Sequence, residues 1–323
     1  MPTLNMDSLT ARGLRQLDRL APLRRLWSPF LVLWFAGQTY GRISTFLRNQ
    51  VPIGLDAHIY YRAAADWVAG TDPWRANVTF NHHVFSYAGT PATTVLMAPF
   101  TLLSEDAYVA LWLTLTAITA VWIVRRLKMP LWWLLFPPLT EAMFSGNPQI
   151  VIFGLLLVGG SVAAAISVAL KIYAVVPLVG ERRIRDAIAG LALTAATFAL
   201  APGLWRNYVV EFGAISARLA HESDKGFSAY YFPLLLVPVA VLLGLLALRD
   251  RRTAGWLAVP ALWPASEFHY STFAMPVMSP LLAVLLAIPS QQLPPVAIAL
   301  EATRRLVGGP IRRRVERIRT PSP

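Results

Sequence analysis

From residue 26 almost to the C-terminus, apolar stretches of bilayer length or somewhat less alternate with short polar turns, a pattern that predicts membrane helices. The first stretch, 26–47, follows an arginine-rich segment and has no small-residue cleavage site, so it reads as an uncleaved anchor. Residues 48–90 are the most polar stretch between spans and predict a large external loop. Within it Ile59, Tyr60, Ala63, Ala64, Trp67 and Val68 recur at helical spacing until Gly70, which predicts a short helix on the membrane surface. Residues 91–103 are apolar but too short to cross, and Pro99 interrupts them, so they read as an interfacial or re-entrant piece. A span over 106–124 follows, then one over 131–145 kinked at Pro137 and Pro138, with Gly146-Asn147-Pro148-Gln149 as a tight external turn. Between 150 and 179 short broken helices are predicted, the breaks falling at Gly159-Gly160 and in 171–177. Residues 187–200 lead to a second external loop, 202–229, and 230–248, 256–264 and 273–288 complete about nine or ten spans or half-spans.

Composition agrees with that pattern: 56% of the 323 residues are hydrophobic and 14% charged, too apolar for one soluble core. Trp27, Trp112, Trp132, Trp133 and Trp205 fall near predicted span ends, where such rings favour the headgroup region. The net charge of +12 is concentrated in clusters at span ends: Arg12 to Arg25, Arg125 to Lys128, Arg182 to Arg185, Arg249 to Arg252, and Arg304 to Arg319. Such clusters mark the cytoplasmic side, so both termini are predicted inside. The fold class is therefore an all-α polytopic membrane protein. Its predicted organisation is a basic cytoplasmic segment, 1–25, a transmembrane domain, 26–290, and a basic cytoplasmic tail, 291–323. The tail has no aromatic-interleaved groove, which favours contact with membrane lipids over nucleic acid. With no cysteine, disulfides and thiolate metal sites are excluded.

Several chemistries can be struck off. The chain has no Gly-rich phosphate loop, no His-Glu-x-x-His helix and no Gly-x-Ser-x-Gly elbow. It also lacks the Asp-x-Asp pair that holds a metal with a nucleotide sugar, which argues against a soluble nucleotide donor. What stands out is Asp56, about ten residues beyond the first span and at the head of the amphipathic segment. A carboxylate at that boundary suits proton transfer on a polar group whose carrier stays anchored in lipid.

The residues resemble glycosyltransferase family 87, polyprenol-phosphate-sugar-dependent transferases of the multi-span GT-C fold that include actinobacterial mannosyl- and arabinofuranosyltransferases. The resemblance rests on Asp56 with Tyr60, Ala63 and Gly70, on Phe85-Ser86-Tyr87 before Pro91 and Ala98-Pro99, and on Gly146-Asn147-Pro148-Gln149. It continues through Ala169-Leu170-Lys171 with Pro177 before Arg182-Arg183, and Pro264-Ala265-Ser266 with His269. The family carries Tyr-Pro-Pro where this chain has Tyr87-Ala88-Gly89-Thr90-Pro91, and a Trp before the His that is absent here. The resemblance implies inverting transfer of a sugar, mannose first and arabinofuranose next, from a polyprenyl-phosphate donor to a glycolipid or lipoglycan acceptor on the outer face of the plasma membrane. It implies Asp56 as general base, His269 and Lys171 at the donor phosphate, and no obligatory metal or other cofactor. Tyr60, Tyr87, Asn147, Gln149 and Arg206 are the further candidates for substrate contact.

Each candidate also has a plainer reading. Asp56 can N-cap the helix beginning at Ala57, His269 can be an interfacial side chain beside Tyr270, and Lys171 can snorkel to the headgroups. Glu141 reads as a solvated residue near the outer surface, Asn147 and Gln149 as turn residues, and Asp72 with His82-His83 as ordinary loop positions. A non-enzymatic carrier or flippase, using Lys171, Glu141 and the broken helices to pass a charged lipid or solute, is the competing class. Carriers often show related halves, and no internal duplication is evident.

Overall fold

Helix caps and backbone breakers set the element boundaries in the computed structural model, which describes residues 24–75, 77–80, 83–221, 226–264 and 266–319. The segment before residue 24, His82, and Glu222, Asp224 and Lys225 of the second expected loop lie outside the described residues, as does Ala265. The first expected span is a single helix, α1 (Arg24–Arg48). Helix α2 (Leu55–Val68) starts after Gly54, whose φ of 80° is a left-handed conformation open to glycine. Asp56 therefore sits inside the first turn of α2, and the N-capping reading falls away. Nor does α2 merely lie on a surface, because Ala57, Ile59, Tyr60, Ala63 and Ala64 are buried.

The long polar loop contains structure that helical periodicity does not announce. A tight hairpin, β1 (Asn77–Phe80) against β2 (His83–Ser86), pairs Asn77 with Ser86 and Phe80 with His83. Thr90 caps the short α3 (Pro91–Met97), which continues as a 3₁₀ turn over Ala98–Leu102, so this piece is too short to cross, as expected. Helix α4 (Glu105–Arg126) has Ser104 as its N-cap, Glu105 and Asp106 in the first turn and Arg125 and Arg126 in the last, charges that complement the helix dipole at both ends. A 3₁₀ segment, Leu131–Leu135, precedes α5 (Pro137–Ser145), and α6 (Gln149–Val158) leaves it at a bend of 114°.

The predicted breaks fall where expected. Gly159 and Gly160, at φ of 85° and 81°, separate α6 from α7 (Ser161–Leu170). Lys171 is extended at the second break, followed by a 3₁₀ turn over Ile172–Ala174 and α8 (Val175–Gly180). Helix α9 (Ile184–Leu200) then turns by 104° into the next segment. That segment was expected as an external loop but is a 20-residue helix, α10 (Pro202–His221). Leu204 and Ile215 supply its buried positions, eleven residues apart at three helical turns.

Helices α11 (Pro233–Arg249) and α12 (Arg251–Leu262) follow, the second capped by Asp250, which accepts from the Thr253 amide. The expected last span over 273–288 is not a continuous helix. A buried 3₁₀ segment, Phe268–Val277, ends at Met278, and Ser279 caps the short α13 (Pro280–Leu286). Nor does the chain leave the folded body near residue 290. Helix α14 (Leu293–Arg319) buries Ala297, Ile298, Glu301 and Ala302, and Glu301 binds Arg304, Arg305 and Ser279.

The fold is mostly helical. Taken alone, α4 is the helix long and apolar enough to cross a membrane among the described residues; two bent pairs, α5 with α6 and α9 with α10, pass as single spans. Large apolar side chains face outward along these elements, including Leu111, Leu115 and Ile118 on α4, Ile188 and Phe198 on α9, and Leu234, Val237 and Val241 on α11. Apolar exterior on that scale suits lipid contact. Inside, the main core runs through α4, α6, α12 and the 3₁₀ segment, while a smaller cluster joins α2, the hairpin exit and α10 around Trp74 and Tyr87.

Candidate active site

The site is built where α2 begins against the bend between α5 and α6. The Gly54 amide donates to the Phe144 carbonyl at 2.8 Å, which pins the head of α2 to the end of α5. At the bend, Gly146 takes a φ of 70°, and a Cβ there would meet the Ala57 Cβ at 3.1 Å. Its carbonyl accepts from the Trp112 indole of α4 at 2.8 Å. Asn147 is thereby delivered to Asp56, donating from Nδ2 to Oδ2 at 3.1 Å, while its own Oδ1 accepts from the Gln149 amide at 3.0 Å. Residues 146–149 form the expected turn, which is buried within the protein.

Asp56 and Asn147 open onto a pocket of about 100 Å³ that Tyr60, Tyr87, Lys171 and His269 also line. These six side chains come from five stretches of the chain, Asp56 and Tyr60 lying one turn apart on α2. Tyr87 is held by its hydroxyl contact with Thr94 Oγ1 at 2.9 Å and packs edge-on against Tyr60, ring centroids 5.4 Å apart. Lys171 enters from the second helix break, where Thr93 Oγ1 donates to the Leu170 carbonyl at 2.7 Å, and its Nζ lies 5.4 Å from the centre of the Tyr60 ring. His269 is 1% exposed, which overturns the reading of it as an interfacial side chain. Its Nδ1 is 3.5 Å from Glu267 Oε2 and 3.9 Å from Glu141 Oε1, and its Nε2 has no hydrogen-bond partner among the described residues.

Three further charged residues line the pocket, and of these the sequence singled out Glu141 alone. Glu141, expected to be solvated, is buried and receives Arg42 Nε on Oε2 at 2.5 Å and Arg42 Nη2 on Oε1 at 3.3 Å. Arg42 and Glu267 line the same pocket. The signal existed for the first pair: two opposite charges, each inside an apolar stretch, need a partner or a cavity. Glu267 had no comparable signal, being one polar residue in a short polar run.

Charge is balanced in type, with Asp56, Glu141 and Glu267 facing Arg42, Lys171 and His269. Burial pushes the Asp56 carboxyl above its ordinary value, and repulsion from Glu267 adds to the rise. Burial also holds the Tyr60 phenol well above its usual range, with the Asp56 charge adding to it, so Tyr60 serves as a neutral hydrogen-bonding group.

Two candidates fall elsewhere. Gln149 is fully buried beneath the pocket, donating from Nε2 to the His269 carbonyl at 2.8 Å and to Thr272 Oγ1 at 2.6 Å, so it positions the His269 segment. Arg206 is exposed on α10 and lines a separate cavity with Trp67. Among the described residues no three His, Asp or Glu side chains are grouped to hold a metal ion. Comparison with protein-family models, with curated proteins and with solved structures finds no match.

Proposed function

We propose that this chain is a multi-pass membrane glycosyltransferase that moves a sugar from a polyprenyl-phosphate donor to a glycolipid or lipoglycan hydroxyl, with inversion at the anomeric carbon. The observation that carries the reading is the convergence of Asp56 and Tyr60 of α2 with Tyr87, Asn147, Lys171 and His269 on one pocket, from five separate parts of the chain. Mannose is the first donor sugar to test and arabinofuranose the second, as the resemblance to glycosyltransferase family 87 implies.

Asp56 accepts the proton of the acceptor hydroxyl as that oxygen bonds to the anomeric carbon. The bond from the anomeric carbon to the phosphate oxygen breaks, its electron pair leaves with the polyprenyl phosphate, and Asp56 ends protonated. A base whose pKa is raised toward the working pH drives such a transfer better than an ordinary surface carboxylate. The Asn147 amide on Oδ2 fixes the carboxylate plane. Lys171 and His269 supply the positive charge and N–H donors that stabilise the departing phosphate. Arg42 is held by Glu141, so that pair shapes the wall more than it adds net charge.

Membranes containing the wild-type protein, given radiolabelled polyprenyl-phosphate mannose or arabinose with a lipid extract as acceptor, should transfer one of the two with inverted configuration. Transfer of neither sugar, or a retained configuration, would end this reading, and movement of labelled lipid across the bilayer without transfer would establish the carrier instead.

A further inference from the structure

Glu267 lines the pocket beside Asp56, Lys171 and His269, and the chemical step gives it no part. It stands immediately before the 3₁₀ segment that carries His269, and its Oε2 lies 3.5 Å from His269 Nδ1. Glu141 Oε1 stands 3.9 Å from the same nitrogen. The two carboxylates are not equivalent. Both oxygens of Glu141 receive the Arg42 guanidinium, so its charge is already matched, and Glu267 is the nearer of the two to the ring. The segment itself is fixed, because the His269 carbonyl accepts from Gln149 Nε2 at 2.8 Å and from Thr272 Oγ1 at 2.9 Å.

An imidazole with anions at one ring nitrogen has its proton arrangement decided there. Carboxylates draw a proton onto Nδ1, so a neutral His269 would leave Nε2 as an acceptor, which repels a phosphate oxygen. Only the imidazolium donates from both nitrogens. Nε2 is buried and has no hydrogen-bond partner among the described residues, so no protein group there holds the second proton. The charged and titratable groups around the ring, besides Glu267, are Arg42, Asp56, Tyr60, Glu141, Lys171 and Tyr270. Burial presses the ring toward its neutral form. Attraction from Glu267, with Glu141 and Asp56 adding to it, outweighs burial and lifts the imidazole pKa above its ordinary value.

We propose that Glu267 is a positioning residue that keeps His269 doubly protonated, with Nδ1–H toward the carboxylates and Nε2–H left for a phosphate oxygen of the lipid donor. This rests on the glycosyltransferase reading and adds to it the group that charges the phosphate contact. The same carboxylate repels the Asp56 anion. Glu267 therefore moves the base and the phosphate contact in one direction, toward higher pH, and the working window between them shifts as a unit.

The test uses full-length protein in lipid nanodiscs, carrying Asp56→Asn to remove both turnover and the titration of the base. The probe is polyprenyl methyl phosphate, a diester whose single charge does not titrate, bound at a series of values from about pH 5 to about pH 9. His269 is the cation below its folded pKa, so affinity should be full there and fall as pH rises through it. Glu267→Gln should bring that fall about one pH unit or more lower, whereas Glu267→Asp, which keeps the charge, should hold it near its original place. In a His269→Gln background the pH dependence should vanish and Glu267→Gln should have no further effect. In the active protein, Glu267→Gln should move both limbs of the kcat/KM profile to lower pH together. A midpoint that Glu267→Gln leaves in place, one that Glu267→Asp shifts as far as Glu267→Gln does, or a Glu267→Gln effect that persists without His269 would overturn the proposal. If the diester binds with a pH dependence indifferent to Glu267, the role of Glu267 alone fails. If it binds at no pH, the reading of the pocket as a lipid-phosphate site fails with it.

Discussion

At the scale of single residues, burial and the Glu267 carboxylate favour the protonated form of Asp56, while His269, Ser145 and the Asn147 amide favour the anion. Transfer needs the anion, so activity is complete at pH above the folded pKa and falls as pH drops through it. Because that pKa is raised, the acid limb of kcat/KM should lie above the ordinary carboxylate range. Glu267→Gln removes a repulsion, lowers the Asp56 pKa and should move the limb toward lower pH; a limb that stays put or moves upward would contradict the electrostatic account. Much of this pocket was legible from sequence: Lys171 is a lone charge in an apolar stretch, Asp56 heads the amphipathic segment after the first span, and His269 was marked by the family resemblance. Glu141 was visible but misread, since its burial depends on Arg42, which lies 99 positions away. No local pattern reports a partner that distant.

At the scale of elements, the site depends on two left-handed glycines more than on helix propensity. Gly146→Ala forces an alanine to φ of 70° and places its Cβ against Ala57 and Leu113, at a conformational cost of about 1–2 kcal/mol. The α5–α6 bend carries Asn147, so transfer should fall about tenfold or more even where the protein accumulates, since small displacements of reacting groups are costly. Gly70→Ala is the control: φ there is 80°, but a Cβ meets nothing within 4 Å. It should lower thermal stability without affecting turnover of bound acceptor, and equal losses of turnover in both variants would remove the special role of the bend. The glycine breaks at Gly159-Gly160 and the interruption at Lys171 were readable because they disrupt a strong period. Helix α10 and the hairpin were not. Helix α10 buries Leu204 and Ile215 with Arg206, Asn207 and Glu211 interrupting the apolar residues between them, and the hairpin is four residues a strand, too short for alternation to register.

At the scale of the whole molecule, the account requires the pocket and the basic turn after α4 to lie on opposite sides of the membrane. The chain has no cysteine, so single cysteines can be introduced without background. Asn207→Cys, exposed on α10, should react with an impermeant maleimide from outside intact cells, and Lys128→Cys, exposed beyond α4, only after permeabilisation. Labelling of both from the same side would contradict the orientation. Membrane character was evident in the apolar runs, but the number of crossings was not, because bent pairs and short helices replace several of the long helices that a hydropathy pattern suggests.

The central claim is that one carboxylate takes the acceptor proton. Single-turnover transfer from the labelled lipid donor, compared between wild type and Asp56→Asn at matched amounts of folded protein, tests it most directly. A loss of about 10²-fold or more is predicted, the usual contribution of a general base; transfer at the wild-type rate would contradict it.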